Sequence, residues 1–281
     1  MTKLRYQSLL DGMKTLKYSK RTIELMQEAS NLMFNKAVQM EMIKVSPAAG
    51  AEIPAFPETV EQLESDEELP KFLEKEELAL LLRTAKQDDT IPGKQWYHAL
   101  FVMAYTGLRL GELSSLKPTD IDEVNKQISV TKTLYDGGRI RNFGLNTPKT
   151  KSSIRKIDVS DTVLAILKKQ DAWRTEFKMS VRDWYWEEET FIFVNDQQCP
   201  GYPAPRPQFE KRMRRSLIAA KLPETLTPHS LRHTYTSLMA EAGVELEAIQ
   251  RLLGHKSDRV TRDIYLHVTK SKKEGGSGKI G

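Results

Sequence analysis

The 281-residue sequence holds a single cysteine, Cys199, which excludes a disulfide scaffold and any zinc site built from cysteines alone. It has no run of about 18 apolar residues, so no membrane span is expected. Its first residues, MTKLRYQSLL, lack the apolar stretch of a secretory signal. No segment recurs at a fixed period, which argues against a solenoid or propeller. Charge of one sign does not dominate: 43 Lys and Arg stand against 38 Asp and Glu, a net of +5. A polyanionic partner is therefore allowed but not demanded. What remains is the composition of an ordinary globular protein, and a cytoplasmic one is expected.

The even average hides a division along the chain. Residues 1–45 carry a net +4, residues 46–70 a net −7 with no base at all, and residues 71–281 a net +8. The acidic stretch also holds four of the 13 prolines. Proline removes a backbone donor and restricts the residue before it, so 46–70 reads as a linker between two basic bodies. The Gly/Ser/Lys-rich end, 271–281, reads as a disordered tail.

Apolar spacing places helices over 3–13 and 19–43, the second with Ser19 as N-cap. Beyond the linker it places helices over 74–86, 94–106, 110–116, 160–170, 207–221, 230–242 and 245–253. Gly243 and Gly254 stand where helices end. Between them, 127–133 and 154–160 alternate like strands, with a turn signal at Asp136-Gly137-Gly138. The fold class expected is mainly α with a small antiparallel β-sheet.

Five stretches carry residues suited to chemistry. They are TGLRLGEL with Arg109, PKTK with Lys149 and Lys151, HSLRH with His229 and Arg232, LLGH with His255, and TRDIYLHV with Tyr265. Taken singly, each has an ordinary reading: a surface arginine, a charged hairpin, a helix cap, a core tyrosine. His229 and Arg232 are three apart at a helix start and share a face, a good anion site and a poor metal site. His233 follows Arg232 directly and is read as pointing elsewhere, a residue for structural packing or hydrogen bonding. Trp184 and Trp186, set among acids in DWYWEEE, are also read as packing.

Together and in this order, the five stretches resemble the boxes of the tyrosine recombinases, or phage-type integrases. TGLRLGEL is similar to the first-arginine box, TPHSLRHT to the His-x-x-Arg box, and LLGHKS followed by Tyr265 to the closing box. TPKTKSS resembles the lysine hairpin of the subgroup on phages and integrative transposons. The resemblance covers about 72–270. It implies a tyrosine-recombinase catalytic domain over 71–270, preceded over 1–45 by part of a helical core-DNA-binding domain. An arm-binding domain and the first part of the core-binding domain are expected to be missing.

The resemblance also implies roles. Tyr265 is the nucleophile and forms a 3′-phosphotyrosine, for which a weakly acidic hydroxyl that also leaves well is suited. Arg109 and Arg232 stabilise the charge gathering on the non-bridging oxygens, because guanidinium is always charged and bidentate. His229 helps Tyr265 lose its proton, and His255 bonds a non-bridging oxygen. Lys149 protonates the departing 5′-oxygen, with Lys151 as the alternative. Glu112 buttresses the Arg109 region. Lys20, Arg21 and Lys151 contact DNA. The implied partners are a double-stranded recombination site, further copies in a homotetramer, and an accessory directionality factor, with a nucleoid-associated location. No cofactor or metal is called for. The competing readings are a helix–turn–helix DNA-binding module over 234–256, an inactive integrase remnant, and a type IB topoisomerase. The first is disfavoured because its second helix, LEAIQRLL, offers few polar residues to bases.

Overall fold

A computed structural model describes residues 1–56, 71–88, 90–135, 137, 140–147, 154–254 and 259–277, without the side chains of 91–92 and 271–277. Lys149, Lys151, His255 and the acidic stretch 57–70 lie outside the described residues. The chain forms two compact units, Met1–Glu68 and Leu69–Gly281.

The first unit is a helical pair, α1 (Lys3–Thr15) and α2 (Lys20–Gln39). The Ser19 hydroxyl caps α2 by accepting from the Thr22 N–H at 3.2 Å, satisfying a donor the helix leaves unpaired. The helix ends four residues earlier than its apolar spacing suggests, and Glu41 turns the chain away with φ +55°. Tyr6, Leu10 and Ile23 form the core with Ala48, and Phe34, Ala51 and Phe56 pack against them. Residues 46–56 are therefore not a free linker. Gln7 exchanges two hydrogen bonds of 2.9 Å with the Glu52 backbone. Gln27 donates to the Ala51 carbonyl, and Lys14 to that of Ala55. Small apolar residues fill the groove between the helices, and long polar side chains satisfy the strap's backbone.

The second unit is built around α4 (Ile91–Thr106), preceded by α3 (Lys75–Lys86). Leu100, Val102, Met103 and Ala104 of α4 are all buried, so the helix is enclosed on several sides. The short α5 (Leu110–Ser114) follows. Strands β1 (Ile121–Asp122), β2 (Gln127–Val130) and β5 (Arg155–Asp158) form an antiparallel sheet, with Val130 opposite Arg155. A second antiparallel pair, β3 (Thr133–Tyr135) and β4 (Gly144–Asn146), was not anticipated from the sequence. Its strands are three residues each, too short for alternation to register.

Helices then return as α6 (Asp161–Val181), α7 (Arg206–Ala219), α8 (Pro228–Glu241), α9 (Leu246–Leu253) and α10 (Arg259–Ser277). Helix α6 runs eleven residues past its expected end because Trp173 and Phe177 continue the buried face, stacked at 5.1 Å. Helix α10 reaches Ser277, into the segment expected to be a disordered tail. Trp186 packs against Tyr202 and Phe143 as expected, whereas Trp184 does not, being 83% exposed.

The apolar run Phe191–Val194 is fully buried yet forms no regular strand. Its backbone is satisfied partly by other backbone, the Ile192 N–H donating to the Leu116 carbonyl and the Phe193 carbonyl accepting from the Ala204 N–H, and partly by side chains. Gln95 both accepts from the Val194 N–H and donates to its carbonyl, and Gln170 donates to Ile192. His98, unassigned from sequence, completes this network through a 2.9 Å bond between Nδ1 and Gln170. Among the described residues no helix is long and apolar enough to cross a membrane.

Candidate active site

Helix α4 stops at Gly107, whose φ of +64° places it in the left-handed region. The position demands glycine twice. Apart from the backbone angle, a Cβ there would lie 2.6 Å from Tyr235 and 2.8 Å from Leu253. The turn presents Arg109 as the N-cap of α5. The Arg109 N–H donates to Glu112 Oε2 at 2.9 Å, and its guanidinium donates to Oε1 at 3.0 Å. The side chain is 35% exposed, so it is anchored at one end and open to solvent on another.

Glu112 is itself buried. Its second partner is Arg155, which sequence reading did not single out. Arg155 meets Glu112 end-on, Nη1 to Oε1 at 3.1 Å and Nη2 to Oε2 at 2.9 Å. Burial by itself would raise the Glu112 carboxyl's pKa. Hydrogen bonding and charge from Arg155, with the Arg109 N–H and guanidinium, outweigh it and hold the carboxyl below the ordinary range. A signal for Arg155 was present: it alternates with Ile157 on the strand, so it shares that buried face, and a buried guanidinium needs an acid.

Arg232 lies on α8 and is 2% exposed. Its Nη1 donates to the Gly107 carbonyl at 2.6 Å and its Nη2 to the Leu253 carbonyl at 2.5 Å. It thus joins the ends of α4 and α9, where carbonyls lack intrahelical partners. His229 sits one turn earlier, just after Pro228, and is exposed. Its ring meets that of His233 edge-on, with centroids 4.6 Å apart. His233 thus packs on a ring, as expected, but on that of His229 rather than away from it: four residues on, it lies on the same helical face.

Arg109 and His229 line one pocket of about 450 Å³, together with Thr133, Tyr135 and Arg206. Strand β3 and the start of α7 thus supply walls that the sequence did not point to. Tyr265 is half-buried on α10, in the cluster of Tyr235, Ile249, Leu253 and Ile264. The same cluster takes in Ile249 and Leu253, the buried face of α9. Tyr235 is a second tyrosine nearby, but burial pushes its hydroxyl up to about 12. In the first unit, Lys20 is exposed, while Arg21 pairs with Glu24 at 3.2 Å and Glu28 at 3.7 Å on its own helix. Among the described residues no group of three or more His, Cys, Asp or Glu is placed to hold a metal.

Comparison with known proteins places the chain in a family. The phage integrase family model matches residues 71–272, and the chain belongs to that family. The prophage ps2 probable integrase of Lactococcus lactis subsp. lactis is 32% identical over 255 residues, covering 89% of this chain and 64% of that protein. A tyrosine recombinase XerC-like protein of Caldanaerobacter subterraneus is 31% identical over 271 residues, covering 91% and 64%. The transposase from transposon Tn916 of Enterococcus faecalis is 28% identical, covering 90% and 60%. The chain therefore spans about three fifths of the length of the curated relatives it matches. Among solved structures, the Tn1549 transposon integrase in complex with a circular intermediate DNA is similar with a TM-score of 0.69. That match has 22% identity and covers 97% of this chain and 84% of that one. The XerH site-specific recombinase bound to palindromic difH substrate matches with a TM-score of 0.65 and 19% identity, covering 99% and 72%. At those identities the likeness establishes the fold: mainly helical with small antiparallel sheets.

Proposed function

We propose that the protein is a site-specific DNA recombinase that cuts and rejoins strands through a 3′-phosphotyrosine, in the integration or excision of a mobile element. The observation that carries this reading is the convergence of Arg109 and His229 on one pocket wall, with His229 and Arg232 on a single helix. A scissile phosphate in that pocket would meet an anchored guanidinium and an imidazole at once.

In the proposed reaction the Tyr265 Oη attacks phosphorus in line, and its proton passes toward His229. The P–O5′ bond breaks, and the 5′-oxygen takes a proton from Lys149, or from Lys151. The new phosphotyrosine ester conserves the bond, so the reverse attack by a 5′-hydroxyl rejoins a strand without external energy. Under this reading Arg109, Arg232 and His255 bear on the non-bridging oxygens, where negative charge grows in the transition state, and Arg232 does so by giving up a bond to the Gly107 or Leu253 carbonyl. The double-stranded site, a homotetramer and an accessory directionality factor are partners under this reading. Lys20, Arg21 and Lys151 would neutralise backbone phosphates.

The test is a pool of duplexes with a randomised core, each carrying a 5′-bridging phosphorothiolate that cannot religate once cut. The wild-type chain should form a covalent adduct on a denaturing gel, undiminished by EDTA, and Tyr265→Phe should form none. An adduct with the phenylalanine variant would remove Tyr265 from this role. No wild-type adduct in the pool would overturn the reading. Sequencing the trapped DNA yields a duplex for further work. On it, Lys149→Ala and Lys151→Ala can be compared with oxygen and sulfur leaving groups. Only loss of the true acid should be rescued by sulfur.

A further inference from the structure

The Arg155 side chain is 6% exposed, and three of its nitrogens are engaged. Nη1 and Nη2 grip Glu112, and Nε donates to the Leu252 carbonyl at 2.6 Å. Each Glu112 oxygen is shared. Oε1 accepts from Arg109 Nη1 and Arg155 Nη1, and Oε2 accepts from the Arg109 N–H and Arg155 Nη2. The carboxylate that orients Arg109 is thus itself held by Arg155. A bidentate grip fixes the carboxylate plane, which a lysine's point charge does not.

The other end of the contact matters equally. Leu252 and Leu253 are the last two residues of α9, before Gly254 ends it in the left-handed region with φ +72°. Arg155 takes the Leu252 carbonyl and Arg232 takes that of Leu253. A helix C-terminus carries unpaired carbonyls and partial negative charge, so two guanidiniums there are well matched. Arg155 is also the first residue of β5, immediately beyond the lysine stretch. One side chain therefore joins the strand leaving the lysine stretch, the first-arginine box, and the helix end leading to the His255 box.

The geometry points to Arg155 as a positioning residue for strand cleavage: through shared Glu112 it aims Arg109 at the phosphate, and through Leu252 it fixes the end of α9. This rests on the recombinase reading above. A buried ion pair is weak evidence for stability as such, because well-packed apolar side chains often serve as well. Its distinctive contribution is direction, and an error of about 1 Å in a catalytic group costs on the order of a hundredfold in rate.

The test uses the full chain, a nicked form of the trapped duplex, and single-turnover adduct formation. Arg155→Lys keeps the charge and loses the bidentate grip. It should cleave about a hundredfold more slowly, with duplex binding and thermal unfolding near wild type. A second substrate carries a methylphosphonate at the scissile position. With one oxygen's charge removed, the aim of Arg109 matters less, so most of the loss should disappear. A purely structural role would give the same loss on both substrates and would overturn the proposal, as would wild-type rates for Arg155→Lys. Should Arg155→Lys fail to fold, Glu112→Gln, similar in shape but uncharged, is read by the same two substrates. Absence of any wild-type adduct would strike the recombinase reading itself. A wild-type adduct with an unaffected Arg155→Lys would strike this inference alone.

Discussion

Single residues carry much of the site's geometry, and Gly107 shows how. Its left-handed backbone and the 2.6 Å approach of Tyr235 leave no room for a methyl group. Gly107→Ala should destabilise the second unit by about 1–3 kcal/mol, read as a lower midpoint in thermal unfolding. It should also misplace Arg109, two residues on. His98 makes a pH prediction. Burial is the largest influence and lowers its pKa below the usual imidazole value, so the folded protein resists its protonation. The unfolded chain binds that proton near pH ~6.5. Stability is therefore full above that pH, falls as pH drops through it, and levels only below the depressed folded value. Denaturant titrations at pH 7.5 and 5.5, taken as approximate points around that pKa, should show this loss, and His98→Gln should reduce it. The candidate residues Arg109, His229, Arg232 and Tyr265 were legible because they stand in short, ordered boxes. Arg155 was not, because its meaning depends on Glu112, 43 residues away.

At the scale of elements, local signals served best where a segment satisfies itself. Ser19 caps α2, and the apolar run over 94–106 marks α4 by itself. The strap 46–56 failed that test, since prolines and acids read as a linker while its burial comes from Ala48, Ala51 and Phe56 meeting α1 and α2. Ala48→Asp would bury an unpaired charge and should cost roughly 3–5 kcal/mol. Amide hydrogen exchange should then rise in α1 and α2 and stay unchanged in α4. The buried run Phe191–Val194 is similar. Its backbone bonds are divided between Leu116 and Ala204 of distant segments and glutamines on α4 and α6, so no continuous strand ladder forms.

For the whole molecule, the division of charge into +4, −7 and +8 is the feature with a measurable consequence. Under the proposed function both basic bodies meet phosphates, each contact releasing counterions. Affinity for the trapped duplex should fall about a thousandfold or more between roughly 50 and 200 mM salt, read from a titration of bound fraction. A shallow slope would mean that few of these cations touch the backbone. Family membership and the mainly helical class were already written in the chain, because boxes and periodicity are local properties of sequence. The contents of the pocket were decided only by folding. Thr133, Tyr135 and Arg206 reach its wall from distant elements, His233 meets His229 across one helical turn, and one buried carboxylate links two arginines. Each depends on long-range packing, where a partner's position is set by the core rather than by its neighbours in the chain.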